Sequence, residues 1–508
     1  MKISKKLSGL LAATLASLTP IITSAADLGP AFIVNNYRQG AQYLSNVAVG
    51  ANGDQLVLWT DAARSNAFFM QRYDGTGAAI QSDEWYVTPR GDTAALDAFG
   101  NFAVTSYESD GTGTAVYVTV YQRNGAVKVP KFKVNQVSGE SAMMALVAST
   151  ASGQLAVSWT VLQSGGVLVP FVRTFSSTGQ PTSPVMQVAT ASAGQYMQGL
   201  AIDEAGGVGI VWTGRSLRGT ANDYDVFYRR FAAAGRSQSP ILQVNSYTAN
   251  SQGDCRLGMT PSGDAIVTWE SNGQDGSYRG VYGQRLDRNG VKLGAEFRVN
   301  ETTLGDQTGS RVGMAEDGSF IVSWISSNRF DDPNAAAKVM LRMYGANGTA
   351  LGGEQVAYTG TSTLVPSITD LGVSPAGEAL LAWRLYNGSD VDVYARRYLL
   401  DNQPAVTTLS SNIPALNLSA NTGEWRYFKV TVPAGHTSLT VTLSGPGVGN
   451  ADIYGRLGGL PSTAQYTVVS RAPGNAEQIA ISNVPAGTWY FGLYGASAFA
   501  GVSFSATY

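Results

Sequence analysis

The sequence has 508 residues, with 34 Lys and Arg against 36 Asp and Glu, and only 14% charged residues. A formal net charge of −2 gives no electrostatic footprint for nucleic acid or an anionic membrane, so neither is expected as a partner. One cysteine, Cys255, rules out an intrachain disulfide framework and leaves apolar burial to hold the fold; the 59 glycines suit many tight turns.

Lys2, Lys5 and Lys6 precede a mostly apolar run from Leu7 to Ile22, followed by the small residues Thr23-Ser24-Ala25-Ala26. The run is short and interrupted by Thr19-Pro20. It reads as an export signal over 1–26, cleaved after Ala25 or Ala26, and not as a membrane span. No later run is long and apolar enough to cross a bilayer. A secreted or cell-surface location follows as an expectation.

From there to about residue 400 the chain repeats itself. The clearest unit is 309–324, in which a strand enters a tight Asp317-Gly318 turn and a second strand ends at Trp324. The same position recurs at Trp59, Trp159, Trp212, Trp269 and Trp383, and a degenerate copy ends at Tyr107. Each copy continues into a third strand rich in β-branched and aromatic residues, such as Val393 to Tyr398. A Gly-containing turn and a fourth strand such as Phe297-Arg298-Val299-Asn300 follow. Alternating side chains bounded by Gly and Asn turns are the pattern of antiparallel strands. Four strands per unit in seven units predict an all-β fold: a seven-bladed β-propeller over 27–402. The last unit lacks a Phe-x-Val-Asn segment, and that segment stands at the other end, as Phe32-Ile33-Val34-Asn35. The N-terminal strand is therefore expected to close the ring beside Val393–Tyr398, hiding sheet edges that would otherwise aggregate. An open row of small sandwiches or a solenoid is the rival reading. The recurrent tryptophans are expected to pack between blades, with sugar stacking as the alternative.

Beyond Asp401-Asn402-Gln403-Pro404, read as a linker, the repeat stops and a C-terminal β-sandwich is expected over 403–508. Its segments are Gly423 to Val430, Val432-Pro433-Ala434-Gly435, Gly449 to Tyr454, Gly474-Asn475-Ala476-Glu477, Pro485 to Tyr490 and Gly501 to Tyr508. In order and spacing, 409–508 resembles the bacterial pre-peptidase C-terminal domain. That resemblance implies export and a role in secretion or in anchoring, not peptidase activity. It departs from many members in having no cysteine pair. The repeats also resemble those of very large secreted bacterial surface proteins. The self-contained pattern predicts that 409–508 folds alone, and Asp452 reads as a buried carboxylate accepting hydrogen bonds.

The sole histidine is His436, within the C-terminal part, so no Ser-His-Asp or Cys-His arrangement can form in the repeats and no His-containing zinc signature exists. Cys255 reads as a small buried residue of an inner strand. Carboxylate chemistry needs only two placed groups; Asp254, Glu270, Asp306 and Glu140 could face one cleft, and Asp254 with Glu270 are the candidates. No cofactor is indicated. Calcium remains open at Asn272 to Gly276, Ser109 to Gly113 and Asn387 to Asp392, which also suit ordinary turns.

Turns joining first to second strands are uniformly tight, whereas long variable loops, including 213–225, 246–256, 301–311, 325–337 and 358–369, gather on the opposite face. Function concentrates on such loops. Arg38, Tyr43, Arg90, Tyr196, Arg215, Arg256, Asp306 and Arg311 are the expected binding residues, read as loop residues. The expectation is a monomeric, non-catalytic binding protein for an extracellular polysaccharide or protein. A secreted polysaccharide-active enzyme using Asp254 and Glu270 is the alternative.

Overall fold

The structure is a computed structural model, which describes residues 26–508 except 89–90, 92, 136–138, 191, 194, 217–222, 234, 236–238, 330, 333, 401–405, 421, 447 and 464. The export-signal reading, the linker Asp401–Pro404 and Arg90 lie outside the described residues. Among those described, the secondary structure is β throughout apart from one three-residue 3-10 turn, Ser164–Gly166.

Successive four-stranded antiparallel units follow the repeat. The first is Gln42–Val49, Gln55–Asp61, Ala67–Tyr73 and Trp85–Thr88. The next two are linked by the pairing of Ser141 with Thr114, and so form one nine-stranded sheet. Three four-stranded sheets follow, beginning at Tyr196, Gln252 and Asp306. The tight turns between first and second strands require a left-handed residue, which Gly53, Gly263 and Gly318 supply at φ 81°, 96° and 88°.

The last unit, Val365–Val373, Glu378–Tyr386 and Val391–Leu399, is completed from the N-terminus. Phe32 pairs with Ala395 and Ile33 with Tyr394, and Ala26–Asp27 continues alongside Leu399 and Tyr398. Asn35 shows why the motif is needed. Its side-chain oxygen accepts Val393 N–H at 2.8 Å while its amide donates to Asp392 at 2.8 Å. Asn245 and Asn300 do the same for Val226 and Val281, at 2.8 and 2.7 Å. The N-terminal segment thus takes the fourth strand's place in geometry as well as in sequence.

Cores form between neighbouring units. Tyr228 packs with Trp269 of the next unit, and Ile266 with Trp324 of the one after. The series returns on itself, because Val57 and Trp59 share a core with Leu380, Ala382 and Val393. All six tryptophans at the recurrent position are at most 2% exposed, which places them in packing. Burying ~200 Å² of indole contributes on the order of 5 kcal/mol. The degenerate copy differs from the sequence reading by one residue. Ser106, paired with Tyr117, occupies the tryptophan register, and Tyr107 follows it. Small residues bring the first strands together: a Cβ on Gly372 would lie 2.8 Å from the Val49 side chain and 3.0 Å from its backbone nitrogen.

The C-terminal residues form two sheets, one of five strands built on Trp425–Val432, Gly487–Ser497 and Asn450–Leu457, the other of four built on Phe499–Thr507 and Ser438–Ser444. Phe428, Phe491 and Leu493 of one share a core with Val441, Val502 and Phe504 of the other. Asp452 is 7% exposed, accepts a bond from Asn450 at 3.0 Å, and has its pKa raised by burial.

Deleting residues 27–37 removes the closing strand and exposes the edge of Val391–Leu399. The truncation is expected to lose its sharp cooperative unfolding transition or to aggregate. Asn35→Ala, which strands one buried N–H, is expected to cost about 1–3 kcal/mol in a denaturant titration. Unchanged cooperative unfolding of the truncation would refute the closure.

Candidate functional site

Each first strand from Gln252 onward carries a bulge at one register. Two residues, Asp254 and Cys255, stand between the pairs Gly253–Glu270 and Arg256–Thr268, and Asp254 takes a left-handed φ of 41°. Gly309 and Ile368 repeat the left-handed conformation at φ 67° and 41°. A bulge re-aims side chains. Here Arg256, Arg311 and Asp370 each pair with the residue just before a unit's tryptophan, so three consecutive units place them at one level of the ring.

The result is a charged cluster. Asp254 receives Arg256 at 2.8 Å and Arg311 at 3.6 Å, and Arg311 also reaches Asp370 at 3.4 Å. Glu270, next to Trp269, feels the charge of the neighbouring Asp254 carboxylate, accepts Gly309 N–H at 2.6 Å and meets Arg279 at 3.2 Å. Arg279 bridges onward to Asp306 at 3.1 Å. Arg384 lies over the Tyr43 ring at 5.0 Å and donates to Leu44 C=O at 2.8 Å. Asp370 is fixed by Val47 N–H at 2.5 Å.

The two carboxyls titrate apart. Burial and the neighbouring Asp254 charge push Glu270 up to about 7. Burial also opposes the charge on Asp254, but Arg256 and Arg311 outweigh it and hold its pKa below the ordinary value. Below about pH 7 the pair therefore keeps one proton, carried by Glu270.

The structure unites Asp254, Glu270, Arg256 and Arg311, draws in Asp306 through Arg279, and sets Tyr43 beside Arg384. Other expected residues lie apart. Arg38 pairs with Asp392 at 3.7 Å, Tyr196 packs on Tyr224 at 6.3 Å with Arg215 over the same ring, and Glu140 accepts from Asn135. One expectation is corrected. Tyr43, Tyr196, Arg215, Asp254, Arg256, Asp306 and Arg311 stand on strands, not loops. The bulge interrupts alternation, so a run such as Gly253-Asp254-Cys255-Arg256 imitates a loop. Sequence reading missed Asp370, Arg384 and Arg279. Superposing the units on Arg256-Leu257-Gly258-Met259, Arg311-Val312-Gly313-Met314 and Asp370-Leu371-Gly372-Val373 would have found Asp370.

Cys255 is fully buried, bonds Gln198, and burial pushes its thiol up to about 12, which makes it a packing residue. His436 is exposed and packs edge-on against Tyr508. In the three loops with calcium-like composition, Asp110, Asp275 and Asn387 accept backbone N–H groups of their own turns. Among the described residues, no group of three or more His, Cys, Asp or Glu could hold a metal ion.

Residues 424–495 match the family described as bacterial pre-peptidase C-terminal domain. The chain is similar to an extracellular protease of Xanthomonas campestris pv. campestris, 33% identical over 39% of this chain and 36% of that protein. It is also similar to alkaline serine exoprotease A of Vibrio alginolyticus, 26% identical over 58% of this chain and 59% of that one. The chain therefore spans about a third to three-fifths of the length of these relatives. Among solved structures, the β-propeller domain of the trilobed protease from Pyrococcus furiosus aligns with 72% of this chain and 98% of its own, at 6% identity and a TM-score of 0.43.

The Glu270 carboxyl carries a pH signature. Its folded-state pKa, about 7, stands above the ordinary 4.5, so the stability it contributes is present below pH 4.5 and is lost as pH rises to about 7. Glu270→Gln is expected to flatten the thermal-unfolding profile across that window, removing on the order of 3 kcal/mol of pH dependence. An unchanged slope would show that Glu270 ionises as an ordinary carboxylate.

Proposed function

We propose that the chain is an exported binding protein in which a seven-bladed β-propeller, 27–402, carries a pre-peptidase-type β-sandwich, 403–508. The ring's charged axial site holds an extracellular polymer, a polysaccharide or an extended peptide, without turning it over. The observation that carries this reading is the convergence of Arg256, Arg311 and Arg384 with Asp254, Glu270 and Asp370 from three consecutive units. Planar guanidinium forks beside carboxyls supply many donors and acceptors in a rigid frame, which suits polar, repeating ligands. Arg384 Nε is buried without a hydrogen-bond partner, a donor left over for a ligand. Tyr43, 39% exposed beside Arg384, offers a ring edge for an apolar sugar or side-chain face. Similarity to a protein named as an extracellular protease supports export.

A second reading, a secreted polysaccharide-active enzyme, has one specific observation in its favour. Glu270 holds a proton near neutral pH beside an ionised Asp254, the division of labour a general acid needs.

A glycan and polymer array read for both retention and product release separates the readings. Retention without turnover, weakened at least tenfold in Arg256→Ala and Arg311→Ala, is the expected result. Shortened products that disappear in Asp254→Asn or Glu270→Gln would establish the enzyme instead.

A further inference from the structure

The ring's other mouth is the end of the tight turns, and the C-terminal domain lies against it. We propose that this domain is a dedicated axial plug for its own ring, docked and not loosely tethered, which makes the channel blind at that end.

The first argument comes from strand alternation. In Gly487–Ser497, Trp489, Phe491 and Leu493 point into the domain's own core, so Tyr490 points out of the sheet. An outward tyrosine on an isolated domain would be exposed, yet Tyr490 is fully buried. It packs with Ala376 of the ring, and its hydroxyl donates to Ala51 C=O at 3.0 Å, across 439 positions of chain. Lys429, outward on the neighbouring strand, reaches Glu378 of the ring at 2.8 Å.

The second argument is the fit of the loop after Asn450–Leu457. Ala51, Ala98 and Ala151 occupy the same turn position in three successive units, and Gly458 sits among them. A Cβ on Gly458 would lie 2.7, 3.1 and 3.3 Å from the Cβ atoms of Ala98, Ala151 and Ala51. Larger residues on either side would not close. At the same turn position, the later units carry Glu204 and Glu316. Arg456 makes an ion pair with Glu316 at 15% and 13% side-chain exposure, and the Glu204 charge also favours the guanidinium. Small residues thus face the glycine and carboxylates face the arginine. Glu204 and Glu316 N–H groups donate to Pro261 and Pro375 at 3.0 and 2.9 Å, so the turns brace one another under the plug. A cavity of about 150 Å³ remains between Arg456, Gly458 and the first-strand residues Met259 and Met314.

The full-length protein is folded, then cut by a protease within 401–405 and run on a sizing column. The two pieces are expected to co-elute at micromolar concentration. Arg456→Glu and Glu316→Arg should each release the C-terminal piece, and the double charge swap should restore co-elution, which a merely misfolded variant could not do. Ala98→Trp, placed on the ring side, should release it as well. Separation of the pieces in the wild-type protein, or co-elution unaffected by all three single substitutions, would overturn the proposal.

Discussion

Everything in the repeat region depends on one pairing, that of Phe32–Ile33 and Asn35 with the strand Val391–Leu399. Each unit alone is a small sheet with two exposed faces, and its tryptophan is covered only by a neighbour. Such a row has no natural end. Joining the last unit through residues from the beginning of the chain removes both ends at once, because Trp59 and Leu380 then bury each other. The cost is entropic, since segments some 360 positions apart must be brought together. That cost grows slowly with loop length, whereas the buried area gained is that of an entire inter-unit core.

Closure also explains where charge can gather. Around a ring, the first strands approach closely enough that Gly313 and Gly372 leave no room for a side chain. Bulges turn Asp254, Arg256, Arg311 and Asp370 toward a shared space. Carboxyls forced together there cannot all ionise, and the arginines decide which does. Asp254 is held by two guanidinium groups and keeps its charge. Glu270, buried beside it, keeps the proton.

The C-terminal domain has its own core, yet its outward-facing residues at one end of a sheet are spent on the ring. A domain that matches the bacterial pre-peptidase C-terminal family over 424–495 meets the ring through Tyr490, Lys429 and Arg456. Its remaining surfaces are those left to meet anything outside the protein.

The sequence by itself determined the strands, the units and the closure. Alternation, glycine turns and the displaced Phe-x-Val-Asn motif are local patterns with local causes, and each maps onto an observed strand or cap. It also determined that the tryptophans and Cys255 pack, because burial follows from their recurrent or inner-strand positions. The site was only half legible. Asp254, Glu270, Arg256 and Arg311 were found by residue type, but as loop residues, since a bulge breaks the alternation by which strands are recognised. Asp370 and Arg384 were not found. Their strands carry no unusual composition, and what makes them part of the site is a ring that sets positions over 100 residues from Asp254 beside it. The docking of Arg456 on Glu316 was equally invisible, because an ion pair 140 positions apart leaves no spacing to read. Only the tertiary structure decided which charges meet, since the ring brings together residues whose separation along the chain is arbitrary.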